Sequence, residues 1–347
     1  MSVTSAAIAI GRNEGERLRD CLKSLIGSVD RVIYVDSNSS DNSVDIAKEL
    51  DVEFIVLTDG PFTAARGRQA GLDELASKYT DLKYVQFVDG DCIVQSGWIE
   101  AARTYMDENP ECAGVCGRRR EEKCDESFWS RVIDVDWDSP VGRADYFGGD
   151  SFARVQAMQE VGGWNIHLIA GEEPDLCFRM RERGWYVERL DVEMTSHHID
   201  MTQFREYWKR STRAGLAYVQ TGWLNRKANG RFWLRRAAGS VFYGAALPLV
   251  ALVSIGLGIG FKIYPLVWAT IAFIALIYGR QFLVLEKACR RKGYDKGVSV
   301  PYAYLNVICK AAAAKGIVQW AIGKVTGKHV KLIEYKNRAV ELAKQEQ

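Results

Sequence analysis

Tyr84-Val85-Gln86-Phe87-Val88-Asp89-Gly90-Asp91 decides how the rest of the chain is read. The run is apolar enough for a buried strand and then breaks into two carboxylates one residue apart. That places hard oxygen ligands at the carboxyl edge of a sheet, where open α/β folds bind their ligands. Such a pair suits Mg2+ or Mn2+ holding a diphosphate. Asp-Gly-Asp is also an ordinary turn, because both residue types tolerate the backbone angles of turns. The surrounding sequence has to choose between the two.

Upstream, Val3 to Ile10 is apolar and ends at Gly11-Arg12-Asn13-Glu14-Gly15, after which Leu18, Cys21, Leu22 and Leu25 recur at helical spacing. Arg31 to Val35 predicts a second strand, Asp36-Ser37-Asn38-Ser39-Ser40-Asp41 a polar loop, and Ser43 to Leu50 a helix. Val52 to Leu57 predicts a third strand, and Thr63 to Tyr79 the helix that leads back to the strand before Asp89. Strands alternating with helices pair in parallel through right-handed crossovers, so their carboxyl-end loops gather along one edge. Asn13, Glu14, Asp36, Asp89 and Asp91 are therefore expected close together. No Gly-x-Gly-x-x-Gly or Gly-x-x-x-x-Gly-Lys stands at these turns, which argues against a dinucleotide site or a P-loop. Nor is Asp36-x-Asn38-x-x-Asp41 a calcium loop, since its sixth position is Asp41 rather than Gly and its twelfth is Ala47 rather than Glu.

The 347 residues are 48% hydrophobic, enough for a sizeable core, and the net charge of +2 hides a division. Residues 1–200 carry 22 Lys/Arg against 38 Asp/Glu, and residues 201–347 carry 24 against 6. Ala237 to Phe261 holds 25 residues without a charge, and Ile263 to Gly279 a further 17. About 20 apolar residues cross a bilayer as a helix, so the two runs predict a transmembrane hairpin turning at Gly258, Gly260 and Pro265, the alternative being a buried hairpin of a soluble domain. Basic residues flank both outer ends, from Arg226 to Arg236 and from Arg280 to Lys292, and no signal peptide precedes Met1-Ser2-Val3. Positive flanks stay cytoplasmic, which places both ends and the acidic part on the cytosolic side of the inner (plasma) membrane. Tyr302 to Lys324 reads as an amphipathic helix on an anionic membrane surface or packed on the protein. The expected domains are 1–200, catalytic; 201–236, basic interfacial helices; 237–285, the hairpin; and 286–347, a basic amphipathic tail. Eight scattered cysteines suit reduced thiols, and His197-His198 has no zinc-site partners.

Six stretches occur in the order found in family-2 glycosyltransferases: Ile8-Ala9-Ile10-Gly11-Arg12-Asn13-Glu14, Val35 to Asp41, Ala65 to Gly71, Val88 to Asp91, Gly148-Gly149-Asp150, and Gly171 to Leu176. Over about 180 residues the chain thus resembles that family, which implies a GT-A fold: a Rossmann-like α/β mixed sheet flanked by helices, here followed by the membrane hairpin and amphipathic helix. The resemblance implies a nucleotide-sugar donor, with Asn13, Glu14 and Asp36 at the nucleoside, Asp89 at the ribose, Asp91 on Mg2+ or Mn2+, and Arg68 near the diphosphate or as a surface charge. It also implies a general base at the opposite side of the sugar. Glu173 stands where the family has the second acid of a Glu-Asp pair, one methylene longer, and Glu172 is the second candidate. Acidic residues also favour helix amino ends for electrostatic reasons alone.

Gly149 and Asp150, between Phe147 and a helix, either lie under the donor sugar or form a glycine turn between elements, and His197 either completes the metal site as in some relatives or is structural. Trp164 stacks on sugar or fills core, and Trp185 fills core. Gln203-Phe204-Arg205-Glu206-Tyr207-Trp208 resembles the Gln-x-x-Arg-Trp signature of processive synthases, but its Arg and Trp are not adjacent, so single-sugar transfer is expected. Trp208, Arg210 and Arg213 then become candidates for diphosphate or an anionic lipid acceptor. The resulting expectation is an inverting glycosyltransferase acting on a lipid or lipid-linked glycan at the membrane, with no nucleic acid involved and oligomerisation open. The alternatives are a polyprenyl-phosphate glycosyltransferase, whose acceptor needs no base, a sugar nucleotidyltransferase, and a noncatalytic nucleotide-sugar sensor.

Overall fold

The computed structural model describes residues 3–122, 127–197, 199, 201–226 and 231–327. The chain divides into two compact units, residues 1–126 with 136–200 and residues 127–135 with 201–347.

The first unit opens with β1 (Ser5–Gly11), α1 (Glu16–Leu25), β2 (Arg31–Asp36), α2 (Ser43–Glu49), β3 (Glu53–Val56), α3 (Ala64–Lys78) and β4 (Tyr84–Asp89). These are the elements that the alternating pattern predicts, with ends shifted by a residue or two. β5 (Cys92–Val94), α4 (Trp98–Glu108) and β6 (Cys112–Glu121) follow; α5 (Phe128–Trp137) belongs to the second unit up to residue 135; then come β7 (Gly142–Ala144), β8 (Ser151–Arg154), α6 (Val155–Glu160), α7 (Glu172–Glu182) and β9 (Tyr186–His197). One sheet runs in the order β3-β2-β1-β4-β8-β6-β9-β5, with β7 paired to β9. β1, β2, β3 and β4 are parallel, β8 lies antiparallel between β4 and β6, and β6 and β9 are parallel.

Hydrophobic burial holds the helices on this sheet. Leu18, Cys21, Leu22 and Leu25 of α1 are fully buried, each apolar side chain contributing about 1.5–3 kcal/mol by leaving water. A buried amide is accommodated in the same core: the Trp98 indole N–H donates to Gln86 Oε1 at 2.8 Å, and the Gln86 amide donates to the Phe87 carbonyl. These two bonds satisfy the Trp98 and Gln86 donors within the core.

The second unit contains α8 (Phe204–Leu224), α9 (Arg231–Val241), a π-helical turn at Phe242–Ala246, α10 (Leu247–Gly260), α11 (Tyr264–Arg291), α12 (Lys296–Ile308) and α13 (Lys310–Thr326). Trp233–Gly260 forms one continuous helix through the π turn; it and Tyr264–Arg291 each run for 28 residues with mean hydropathy of 2.0 and 1.6 over their most apolar stretches. At 1.5 Å per residue both exceed the ~30 Å hydrocarbon core of a bilayer. They are not buried within the protein, and Leu252, Trp268 and Leu276 are about 70% exposed, an exterior suited to lipid rather than water. These helices point to membrane association. The stretch expected as one amphipathic helix from Tyr302 to Lys324 is instead two helices, broken at Cys309, where ψ is −2°. Their packing is internal along one side: α13 buries Ala312, Ala313, Ala314, Gly316 and Ile317. At the crossing of α8 and α13, Gly215 lies against the Ala313 carbonyl and Gly316 against the Thr212 carbonyl, with no room for a Cβ at either. The tail beyond Gly327 lies outside the described residues.

Candidate active site

Sheet register assembles the site. Gly11 pairs with Asp36 and Ile10 with Asp89, so the two aspartates flank the carboxyl end of β1. Because β8 runs antiparallel to β4 and starts opposite Phe87, Asp150, one residue before it, reaches the same edge. The Asp89 amide donates to Asp150 Oδ1 at 3.0 Å, and the Thr195 hydroxyl donates to Asp150 Oδ2 at 2.8 Å. At the far side, Glu121 stands opposite His197 across β6–β9, and Cys92 opposite His197 across β5–β9.

The loops after β1 and β2 are knitted together. Asn13 sits at φ 56° and Asn38 at φ 61°, left-handed conformations that Asn tolerates better than most residues. The Asn13 side-chain oxygen accepts from the Ser40 amide at 2.8 Å, and its own amide donates to Ser39 Oγ at 2.9 Å. Asp36 is buried and accepts from Tyr34 Oη at 2.7 Å, the Ser39 amide at 2.7 Å and Ser39 Oγ at 2.5 Å. Glu14 is also buried, with its amide donating to Ser43 Oγ at 3.1 Å and its carboxylate 3.4 Å from Arg17.

Two guanidinium groups hold the carboxylates in the centre. Arg68, only 2% exposed, donates to Asp89 Oδ1 at 2.8 Å and Glu172 Oε1 at 3.1 Å, and stands 3.7 Å from Glu173 Oε1. Its guanidinium also faces the Trp164 ring at 5.2 Å. Burial opposes the Arg68 charge, but Asp89, Glu173 and Glu172 outweigh it and hold the group protonated. Arg119 lies 3.3 Å from Asp150 Oδ2 and 3.8 Å from Asp89 Oδ2, stacks on Trp137 at 4.3 Å, and donates to Cys92 Sγ at 3.3 Å. Burial again opposes this charge, and Asp150 leads the groups that sustain it. Gly149 is pressed into the cluster: a Cβ there would come within 2.6 Å of Arg68 Nη2 and 3.3 Å of Asp89 Oδ2.

α7 begins at Glu172 after Gly171 in a left-handed conformation, and Pro174 fits its first turn, where a missing N–H costs nothing. The neighbouring acids differ. The Glu172 side chain is 5% exposed and Glu173 20%. Burial, then the adjacent Glu172 charge, raise the Glu173 pKa to about 7 against the pull of Arg68.

Asp91, Cys92 and His197 bring ligand atoms within 4.8 Å of one another. His197 Nε2 is 3.2 Å from Asp91 Oδ2, and Nδ1 is 2.9 Å from Glu121 Oε1, which also accepts through Oε2 from the Ile199 amide at 3.0 Å. Burial works against a charged imidazole, and the bonds to Asp91 and Glu121 outweigh it, raising the His197 pKa. The Trp137 ring meets that imidazole edge-on at 4.9 Å. Burial pushes the Cys92 thiol well above its ordinary pKa, so sulfur there stays protonated and is a poor ligand.

The first unit thus brings together Asn13, Glu14, Asp36, Arg68, Asp89, Asp91, Gly149, Asp150, Glu172, Glu173 and His197 at one sheet edge, on strand ends, loops and the helices α3 and α7. Arg68 is not the surface charge that its helix allowed. Gly149-Asp150 leads into β8 rather than directly into a helix, because Ser151 to Arg154 must first close the sheet between β4 and β6. Trp164 is core, edge-on to Phe87 at 5.2 Å, whereas the indole of Trp185, only partly buried, donates to Glu160 Oε2 at 2.8 Å. Trp208, Arg210 and Arg213 belong to α8 in the second unit, where Trp208 packs on Phe204 at 5.8 Å. His198 lies outside the described residues. Sequence reasoning passed over Arg119, Glu121, Trp137 and Thr195. A signal for the first two existed: in the strand Gly117 to Glu121, alternation puts Arg119 and Glu121 on one face and the more exposed Arg118 and Arg120 on the other.

Comparison with known proteins agrees with this architecture. The O-antigen chain rhamnosyltransferase RfbN of Salmonella typhimurium is 22% identical over 225 residues, covering 61% of this chain and 70% of that protein. The pre-mycofactocin glycosyltransferase of Mycobacterium tuberculosis is 26% identical over 264 residues, 72% of this chain but 52% of that protein, so the chain spans about half the length of this relative. The solved structure of mannosyltransferase PcManGT from Pyrobaculum calidifontis, in complex with GDP-Man and Mn2+, shares the fold with a TM-score of 0.57 at 14% identity, covering 95% of this chain and 89% of that one. Residues 8–165 match Glycosyl transferase family 2, so the chain contains a family-2 glycosyltransferase domain of the GT-A fold, and it is an enzyme, a nucleotide-sugar-dependent glycosyltransferase.

Proposed function

We propose that the chain transfers a single sugar, with inversion, from a nucleotide-sugar to a lipid or lipid-linked glycan at the cytosolic face of the inner membrane. The observation that carries the assignment of the base is the contrast between two adjacent carboxylates. Glu172 is buried on Arg68, while Glu173 keeps a fifth of its side chain accessible and has its pKa raised to about 7. A base with that pKa takes an acceptor proton efficiently near neutrality. Asn13, Glu14 and Asp36 then receive the nucleoside, Asp89 the ribose, and Gly149 and Asp150 the sugar. Arg68 restrains Asp89 and the two glutamates instead of acting as a free cation.

Asp91 and His197 are the proposed metal ligands. Their donor atoms are already within 4.8 Å, and Glu121 orients the imidazole from its other nitrogen as outer-sphere carboxylates do for metal-bound histidines. One carboxylate and one imidazole leave most of an octahedral shell to water and donor oxygens, which suits Mg2+ or Mn2+ held with a diphosphate. When bound, the ion supplies Lewis-acid neutralisation of the departing diphosphate.

The membrane assignment draws on the two exposed apolar helices, and the basic flanks support a cytosolic catalytic part. The corresponding division is 1–200 catalytic, 201–236 interfacial, 237–285 hairpin and 286–347 surface tail, with Trp208, Arg210 and Arg213 as acceptor-side candidates. That one relative is named an O-antigen chain rhamnosyltransferase supports a glycan acceptor. Purified protein with Mg2+ or Mn2+, membrane lipids and a panel of nucleotide-sugars should release nucleoside diphosphate. Glu173→Gln should lower kcat about 10²–10⁴-fold. Near-normal turnover by that variant would move the reading to a polyprenyl-phosphate glycosyltransferase, whose anionic acceptor needs no base.

A further inference from the structure

Arg68 and Arg119 stand in the same cluster of carboxylates but use their donors differently. Nε of each is buried without an acceptor, so the comparison falls on the terminal nitrogens. Those of Arg68 donate to Asp89 Oδ1 at 2.8 Å and Glu172 Oε1 at 3.1 Å. Those of Arg119 make one hydrogen bond among the described residues, at 3.3 Å to the Cys92 sulfur, a weak acceptor whose own thiol turns to Asp91 Oδ1. Its Nη1 is 3.3 Å from Asp150 Oδ2 and 3.8 Å from Asp89 Oδ2, ion pairs without a hydrogen bond. Asp150 is already engaged, since its oxygens accept from the Asp89 amide and the Thr195 hydroxyl. The charge of Arg119 is thus balanced while its hydrogen-bonding capacity is not, and a mostly buried donor group calls for acceptors. The side chain keeps 18% of its surface open, which lets an incoming acceptor reach it.

Position selects the acceptor. Cys92 Sγ lies within 4.8 Å of ligand atoms of Asp91 and His197 and, in a second group, of Asp89 and Asp150. Arg119, bonded to that sulfur, therefore stands where the proposed metal ligands meet the aspartates assigned to ribose and sugar. In a nucleotide-sugar the diphosphate is the covalent link between those two parts. The Trp137 ring, its centroid 4.3 Å from the guanidinium carbon, covers one face of the group. That stacking fixes the guanidinium plane and leaves its N–H edge to fork onto phosphate oxygens.

We infer that Arg119 donates to the diphosphate of the nucleotide-sugar and is a catalytic residue, a role that rests on the donor assignments proposed above. When the acceptor oxygen bonds to the anomeric carbon, its proton passes to Glu173 and the electron pair of the breaking C–O bond goes to the diphosphate. Arg119 meets that growing charge from the protein side. Arg68 does not substitute for it, because its terminal nitrogens are committed to Asp89 and Glu172.

Calorimetric titration of the full chain in detergent with Mn2+ tests this without turnover. The probes are UDP, GDP and dTDP, each beside its own nucleoside. Arg119→Met should lose about 10–100-fold of diphosphate affinity, the range for hydrogen bonds to a charged partner, while nucleoside affinity changes less than about twofold. Arg119→Lys keeps the charge without the fork and should recover part of the loss. Arg118→Gln, on the other face of the strand, should change neither affinity. The loss does not arise through the ion, since removing a cation that acts on Asp91 strengthens metal binding there. Equal losses of nucleoside and diphosphate would make Arg119 a prop for Asp89 and overturn the inference. So would unchanged diphosphate affinity in the folded Met and Lys variants. Silence of the intact protein toward all three diphosphates would remove the donor reading itself, and this inference with it.

Discussion

Arginine is buried among carboxylates at the sheet edge of the first unit, whereas Arg236 of the second is exposed and lies over aromatic rings. Arg68 touches Asp89 and Glu172, and Arg119 touches Asp150, so each cation is balanced by carboxylates in place before any ligand arrives. Arg236 and Lys310 share a cavity with no carboxylate among its described lining residues. A pre-balanced cluster is rigid and fixes the direction of the acids that line it, which is what an active site requires. Arg236 is instead held by aromatic faces, 5.4 Å from the Trp233 ring centroid and 5.9 Å from that of Tyr218.

This contrast can be broken or sharpened by substitution. The largest effect is expected where charge must come from outside the catalytic cluster: Asp91→Asn, or removal of divalent ions by chelator, should lower nucleotide-sugar turnover about a thousandfold, given the several kcal/mol that a catalytic ion supplies. Activity that survives chelation and is unchanged in Asp91→Asn would sink the metal assignment. Next, Arg68→Met leaves three carboxylates without their shared cation and should destabilise the first unit by about 3–5 kcal/mol, read as a lower midpoint in denaturant. Lys310→Met in lipid-free detergent should do the reverse, leaving the thermal midpoint unchanged or higher, because it removes one of two repelling charges. If both substitutions destabilise alike, the distinction between the two regions fails.

Smaller effects test geometry and protonation. Gly149→Ala should reduce kcat/KM by about tenfold with little loss of stability, because the Cβ displaces Arg68 Nη2 and small misplacements of catalytic groups cost this much or more. The Glu173 carboxyl has its folded pKa raised to about 7, so the basic form is present above that pH. kcat/KM should therefore fall as pH drops through 7, approaching tenfold per unit below it. The same sign governs stability: between its ordinary 4.5 and about 7 the folded protein holds the extra proton, so this group's contribution to stability falls as pH rises across that window. Glu173→Gln should flatten both dependences.

Much of the first unit was legible because periodicity and loop chemistry act locally. The strands ending at Gly11, Asp36 and Asp89 are short apolar runs cut off by polar turns, and parallel pairing leaves no choice but a common edge for their loops. For Arg119 and Glu121 the strand alternation is a weaker flag, since a basic run in a strand reads as solvated surface until the neighbouring strands are known. The burial of Arg68 was equally hidden, because the acids that draw it inward lie 21 and 104 residues away. In the second unit, hydropathy announced the long helices, but the break at Cys309 has neither Gly nor Pro to mark it. Nothing local distinguishes Lys310 from the many other lysines of a basic tail; only the cavity does.

The crossing of α8 and α13 has a further consequence for how variation in this chain should be interpreted. With the Ala313 carbonyl against Gly215 and the Thr212 carbonyl against Gly316, each backbone occupies the space that a methyl group on the other would need. In a saturation mutagenesis screen scored on activity, both glycines should tolerate as little change as Asp91 or Glu173, although neither lies near a titrating group. Sensitivity at those two positions would measure how closely two helices must approach, and a second-site change that widens the crossing should restore function there while leaving a lost carboxylate unrescued.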